Sequence, residues 1–247
     1  MNWLCNNIQT AFFLVPNQNV EAMECWNKVM VNEPAMIFKD GTPNPMNYPG
    51  AVLGGACEDS SFILGVQKNR IDMWITPLGN KLPENGLPPI LTNVEAAVSS
   101  LREKSKILSS SISCNRFGVI TNLGKIYDSE WESVEHFNKD ILKNETVPKN
   151  STEVKFKYNV PVKEEIDGTS FRVNNIFSMN SFKQRNVNLR ISDEDFSSSS
   201  FSAHENYGIG KNIDLNTSIF KEPISTPILS KIIDKFMDDI LKYISEN

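Results

Sequence analysis

The chain has 247 residues, of which 40% are hydrophobic and 22% are charged, with a formal net charge of -5 at pH 7. This composition excludes a disordered or fibrous chain, and the acidic balance disfavours general binding to nucleic acid. The longest apolar run, over 11–15, is far shorter than the roughly 20 residues of a membrane-spanning helix. The first ten residues carry no basic side chain, so we expect no secretory leader and a cytoplasmic location.

Cysteines and histidines are too few and too scattered for familiar metal or catalytic motifs. The four cysteines lie tens of residues apart without paired spacing, which predicts reduced thiols and neither a zinc site nor a disulfide framework. The only two histidines, His136 and His204, lie in no recognisable motif. We therefore expect no bound metal and no cofactor.

In the first part of the chain the patterns predict a strand, a helix, several antiparallel strands and a second helix. An apolar run over 8–15 ends at Pro16, which is typical of a buried strand. Val20, Met23 and Met30 then recur at helical spacing, which predicts a helix over 20–31. The remaining predicted elements are a strand over 35–38, a Pro- and Gly-rich loop over 40–50, a hairpin of strands over 62–68 and 70–76, a loop over 77–89 and a helix over 93–108.

The second part of the chain repeats this order of elements. Asp128 and Ser129 precede Glu132 in a capping-box pattern, which predicts the start of a helix that runs to about Leu142. The predicted elements are a strand over 111–121, this helix over 129–142, an alternating strand over 153–162, a turn at 167–168, strands over 169–180 and 187–191, a polar loop over 197–200, a strand over 207–218 and an amphipathic helix over 224–244.

The repeated order of elements predicts an α+β fold made of two tandem halves. Each half reads as strand, helix, antiparallel strands and helix, over 1–109 and 110–247, and the chain ends in a long helix. The two halves can share one sheet and form a single compact domain. Phe12-Phe13-Leu14-Val15 precedes a helix that bears Trp26, and Phe117-Gly118-Val119-Ile120 precedes one that bears Trp131, so we also expect an internal duplication.

Charge is unevenly distributed along the chain, because residues 151–190 hold seven basic side chains against four acidic ones. If the apolar positions of these strands face the core, the alternating polar positions form an outer surface rich in basic and asparagine side chains. Such a surface can bind an anionic ligand or an acidic partner, although antiparallel sheets commonly have a solvated polar face. The predicted binding residues are Lys155, Lys157, Arg172, Asn174, Asn188 and Arg190.

Weaker catalytic candidates surround the two histidines. Glu132 and His136 are four residues apart on one helix face, which allows acid/base chemistry but is also typical of a surface ion pair. His204 begins a segment over 204–211 with two glycines and a lysine, a composition that fits either a phosphate-binding loop or an ordinary flexible loop.

Two further segments carry reactive side chains without a supporting motif. The acidic cluster over 193–195 can chelate Mg²⁺ or simply solvate a turn. Cys57 follows Gly54 and Gly55 and is a possible nucleophile, but no base adjoins it in sequence, so a core or loop cysteine is the alternative.

Two functions from different classes fit these patterns. The first is a cytoplasmic, non-catalytic interaction or ligand-binding module that acts as a subunit of a larger assembly or as a homo-oligomer, with the basic strand face or the Pro-rich loops as its contact surface. The second is a hydrolase or nucleotide-processing enzyme that uses a histidine with Glu132 or with the acids over 193–195. We expect a protein partner or self-association and no membrane contact, and the apolar stripe of the last helix either packs on its own sheet or seals a dimer.

Overall fold

A computed structural model describes residues 3–78, 89–142, 154–190 and 200–245. Nine antiparallel strands in these ranges form one sheet. They are β1 (Leu4–Leu14), β2 (Met36–Phe38), β3 (Ala51–Cys57), β4 (Ser60–Gln67), β5 (Arg70–Pro77), β6 (Cys114–Tyr127), β7 (Lys155–Ile166), β8 (Thr169–Arg190) and β9 (Ser200–Thr217). The helices are α1 (Ala22–Val29), α2 (Val94–Ser109), α3 (Glu130–His136) and α4 (Thr226–Ser245), and a π-helical segment (Phe137–Leu142) continues α3.

The sheet is continuous from one end of the fold to the other, in the order β2-β3-β4-β5-β1-β6-β9-β8-β7. The first strand of the chain lies inside the sheet, where β1 pairs with β5 on one side and with β6 on the other. The pairing of β1 with β6 extends from Leu4 opposite Gly124 to Leu14 opposite Cys114.

The prediction of two tandem halves is wrong, because the described strands form a single nine-stranded antiparallel sheet in which the supposed halves are not separate units. β1 and β6, which come from opposite sides of the supposed boundary, are hydrogen-bonded along their length, and one core cluster contains residues of both. The proposed sequence correspondence also fails at its tryptophans, because Trp26 is fully buried whereas Trp131 is 63% exposed. Of this prediction, only the broader α+β fold class is confirmed.

The four described helices pack on one face of this sheet. Alternate residues of the strands, such as Phe12 and Phe117, are fully buried on that face. The ring of Phe117 lies 6.0 Å from that of Phe236 on α4, and Trp26 on α1 lies 5.6 Å from Phe62 on β4. The opposite face is left to the outward-pointing side chains of the strands.

Most predicted elements are confirmed, including the hairpin of β4 and β5, α2, and the packing of α4 on its own sheet through a buried apolar stripe. The strands predicted over 169–180 and 187–191 are one continuous strand, β8. β3 was not predicted. The predicted loops over 77–89 and 197–200 lie largely outside the described residues. Within the described ranges, no helix combines the length and apolarity needed to cross a bilayer.

Candidate functional site

The sheet face opposite the helices, which we call the open face, presents polar residues in register across the strands. One row of directly opposed residues crosses five neighbouring strands. Because side chains alternate between the two faces of a strand, all members of this row point to the same side of the sheet. The row consists of Asn7, Asn122, Asn212, Ser178 and Lys157.

Three members of this row, which we call the asparagine ladder, are joined by side-chain hydrogen bonds. The amide nitrogen of Asn122 donates to Oδ1 of Asn7 at 2.9 Å, and the amide nitrogen of Asn212 donates to Oδ1 of Asn122 at 2.8 Å. Asn122 both donates and accepts, whereas Asn7 only accepts and Asn212 only donates, so the two bonds fix the orientation of all three side chains. The amide nitrogen of Asn7, a donor, and Oδ1 of Asn212, an acceptor, take no part in the two ladder bonds.

A cavity of about 300 Å³, which we call the ladder pocket, lies beside the asparagine ladder. Its floor contains Gly124 and Gly210, which are directly opposed in β6 and β9, so two missing side chains create the hollow. Asn180 lies against this floor, because a Cβ at Gly210 would lie 3.1 Å from its Oδ1. The rest of the described lining includes Asn6, Gln184, Leu4, Ile126 and Phe182.

A second polar cluster on the open face surrounds a buried carboxylate. Asp72 is fully buried and accepts hydrogen bonds from Arg70 at 2.7 Å, from Gln9 at 2.7 Å and from the hydroxyl of Tyr48 at 2.9 Å. A buried carboxylate needs both a cation and further donors to offset its desolvation, and Asp72 has both. Burial, followed by the negative charge of Asp72, raises the pKa of Tyr48 above its usual value.

Tyr48 belongs to the Pro-rich loop over 40–50, which is anchored on the open face near β4. The side chain of Asn44 fixes the loop by bonding both the backbone nitrogen and the carbonyl of Tyr48. Gly65 leaves room for the tyrosine ring, because a Cβ there would lie 2.8 Å from it. The ring meets that of Trp74 edge-on at 5.4 Å. This loop therefore covers the β4–β5 end of the open face and leaves the ladder pocket uncovered.

At the end of β1 farther from Asn7, the ring of Phe13 lies between two guanidinium groups. Arg70 and Arg116 lie 4.9 and 4.7 Å from its centroid. Arg116 also donates to Oδ1 of Asn216 at 2.9 Å, and the same oxygen accepts from Asn174 at 3.0 Å. This end of the open face thus carries a network of connected polar groups.

The predicted basic surface lies along β7 and β8. The register places Lys155, Lys157, Arg172 and Asn174 on the open face. The side chains of Asn188 and Arg190 lie outside the described ones. Arg172 and Arg190 are 18 positions apart on one strand, which corresponds to about 60 Å at the usual rise per residue. These residues form a long stripe rather than one compact site.

The structure gives Glu132 and His136 separate contacts. Glu132 completes the predicted capping box, in which its carboxylate accepts from the backbone nitrogen of Asp128 at 3.3 Å and its own nitrogen donates to Ser129 at 3.2 Å. His136 stacks on Tyr127 with ring centroids 5.0 Å apart. This capping role accounts for a glutamate at this position.

The other weak candidates fall in different environments. The segment over 204–211 lies inside β9, so the prediction of a loop there is wrong; the side chain of His204 is outside the described ones. The acids over 193–195 also lie outside the described residues. Cys57 is half-buried at the end of β3, with its sulfur 3.6 Å from the hydroxyl of Ser100.

Three cysteine thiols are buried and are weak nucleophiles. Burial raises the pKa of Cys5 and of Cys25 to about 11, and that of Cys114 to about 12. A thiol with so high a pKa is protonated at neutral pH and is a poor nucleophile. Among the described residues, no three His, Cys, Asp or Glu side chains cluster closely enough to hold a metal ion.

Comparisons with protein-family models, with curated proteins and with solved structures found no match to this chain.

The asparagine ladder escaped prediction because its members come from three strands far apart in sequence. Asparagine is uncommon in strands. Only Asn212 lies within a predicted strand, over 207–218, whereas Asn7 and Asn122 each lie one residue outside the strands predicted over 8–15 and 111–121. Only the strand order brings Asn7, Asn122 and Asn212 together.

Proposed function

We propose that this protein is a cytoplasmic, non-catalytic binding module that holds its ligand on the open face and works as a subunit of a larger assembly or as a homo-oligomer. The observation that carries the proposal is the asparagine ladder beside the ladder pocket, where hydrogen-bonding groups are fixed around a hollow in a rigid sheet.

Fixed polar groups favour binding because their conformational entropy is lost during folding and not at the moment of association. Asn122 has no freedom to rotate without breaking both ladder bonds. The strands beneath it are paired on both sides, so the backbone is also held in place.

The chemistry of the ladder pocket also favours binding over catalysis. Its described lining has no carboxylate, imidazole or thiol, the groups that most often transfer protons or attack substrates. The basic stripe of β7 and β8 gives the module a second surface, which suits an acidic protein partner.

Native mass spectrometry of the full chain purified gently from its own cell tests this proposal. We expect the wild-type chain to retain a noncovalent species, Asn122→Leu to lose it, and Asn159→Leu to keep it. Asn159 is a matched control because it lies on the same face, bonds Asn174 and does not line the ladder pocket.

One further measurement completes that test. The retained species is expected to be recovered chemically unchanged after prolonged incubation with the protein. A wild-type chain that retains nothing, a species that Asn122→Leu also retains, or conversion of the species into a product would each refute a binding module centred on the open face.

A further inference from the structure

We propose that the ladder pocket binds a neutral polyhydroxy ring, the chemistry of a single sugar ring. This inference rests on the proposed function and specifies the ligand class for it.

The ends of the asparagine ladder match a ligand that both donates and accepts. The amide nitrogen of Asn7 and Oδ1 of Asn212 have no protein partner among the described residues, whereas the atoms between them are bonded to each other. A hydroxyl group donates one hydrogen bond and accepts others, so adjacent hydroxyls can satisfy both ends of the ladder. A ligand that only accepts, such as sulfate, would leave Oδ1 of Asn212 without a donor.

The charge of the ladder pocket favours a neutral ligand. Its described lining has no carboxylate to bind a cation and no arginine to bind an anion in a bidentate way. The one basic residue of the lining, Lys211, places its ammonium 5.3 Å from the ring centroid of Trp3. Lys211 is opposite Leu123, whose side chain is buried in the core, so its side chain points to the helix side of the sheet.

One wall of the ladder pocket is apolar, which fits the C–H face of a sugar ring. Phe182, Leu4 and Ile126 line this wall and are half-buried. The ring of Phe182 packs closely against Gly208, because a Cβ there would lie 2.5 Å from the ring. A ring held in this way offers a rigid apolar surface at little entropic cost.

The size of the ladder pocket favours one ring over a chain of rings. A volume of about 300 Å³ is at the small end of the range for ligand sites, and it equals the space of about ten water molecules. The paired glycines Gly124 and Gly210 create the hollow only locally, and the neighbouring row is filled by the ladder itself.

The test is an NMR titration of the ¹⁵N-labelled full chain with glucose, galactose, mannose, ribose and myo-inositol, and separately with inorganic phosphate. We expect at least one neutral compound to shift the side-chain amide signals of Asn7, Asn180 and Asn212 in a saturable way. Asn122→Leu is expected to weaken this binding by about tenfold or more, as loss of the ladder geometry requires, whereas Asn159→Leu leaves it unchanged.

The inference fails if none of the five neutral compounds saturates these signals, if phosphate binds there in their place, or if Asn122→Leu binds as tightly as the wild type. Even if Asn122→Leu does not fold, the wild-type titration shows whether a neutral ring compound binds in the ladder pocket. A native species that depends on Asn122, together with no sugar binding, would remove the ligand class and leave the proposed function standing.

Discussion

Burial of the Asp72 carboxylate carries a large desolvation free energy that its partners must offset. Its side chain is fully buried, while that of its cationic partner Arg70 is 31% exposed. The sequence predicted a strand over 70–76 but not a buried acid within it, because charged residues are rarely buried and the donors Gln9 and Tyr48 come from distant segments. Only the folded sheet and the anchored loop bring these partners together.

Removing the cation tests how much the fold depends on this cluster. Arg70→Met should lower the free energy of unfolding by about 3 kcal/mol, because it leaves a buried charge without its counterion. Adding Asp72→Asn to Arg70→Met should restore most of that loss. Arg116→Met, which removes the other guanidinium over Phe13, should cost only about 1 kcal/mol. Equal losses in urea denaturation for the two single variants would contradict this account.

The raised pKa of Tyr48 makes stability dependent on alkaline pH. The folded chain keeps the Tyr48 proton above the usual tyrosine pKa of about 10, where the unfolded chain loses it, so stability falls as pH rises past that value. Tyr48→Phe should therefore reduce the steepness of this fall by about 1.4 kcal/mol per pH unit above roughly pH 10. Denaturation curves between pH 8 and 11 measure it, and an unchanged slope would show that Tyr48 ionises normally in the folded protein.

At the scale of single elements, β7 is one of the two edges of the sheet, and no described strand pairs with its outer side. Ser181 donates to the carbonyl of Val154, so the backbone groups of even-numbered residues point inward to β8. The odd-numbered residues, including Pro161, therefore point their backbone groups outward. Pro161 has no N–H to offer, and Lys155 and Lys157 add charge, which together discourage pairing with another strand.

Restoring a backbone donor at this edge should promote self-association. Pro161→Thr exposes a new N–H in the middle of β7, so its weight-average mass in sedimentation equilibrium should rise with concentration more steeply than that of the wild type. Val162→Thr is the control, because the N–H of Val162 already points to β8. Identical behaviour of the two variants would show that Pro161 does not protect the edge.

Local pattern predicted most elements, and its errors have physical causes. β3 was missed because Gly54, Gly55 and Ala56 have low strand propensity, yet β4 pairs along its whole length. The polar stretch between 180 and 187 interrupted the predicted strands, whereas β9 pairs with β8 across it. In both cases, pairing with a neighbouring strand stabilises strand structure that the local sequence does not favour.

At the scale of the whole molecule, the continuity of the sheet makes the fold interdependent. α2 and α4 also meet through ion pairs, with Lys106 2.6 Å from Asp234 and a second pair between Arg102 and Asp238. Tandem halves were a reasonable interpretation of the element order, but the order of elements along a chain does not determine which strands become neighbours. The β1–β6 pairing, with contacts far apart in sequence, could not be deduced from local pattern.

This interdependence predicts a single cooperative unfolding transition. Tryptophan fluorescence reports mainly the buried Trp26 and Trp74, whereas far-ultraviolet circular dichroism reports the helices and strands of the whole chain. The two thermal midpoints should coincide, and the calorimetric and van't Hoff enthalpies should agree. Two resolved transitions would instead support separately folding halves.

The most direct test of the account is to block each face of the sheet in turn. A bulky maleimide can be attached at a single new cysteine in a Cys57→Ser background. Ser178→Cys places it on the open face, adjacent to Asn212, and Glu103→Cys places it on the exposed side of α2. Native mass spectrometry of the retained species then compares the two. We predict that the label at position 178 abolishes retention and that the label at 103 does not; retention with the open face blocked, or its loss only when α2 is labelled, would contradict the central claim.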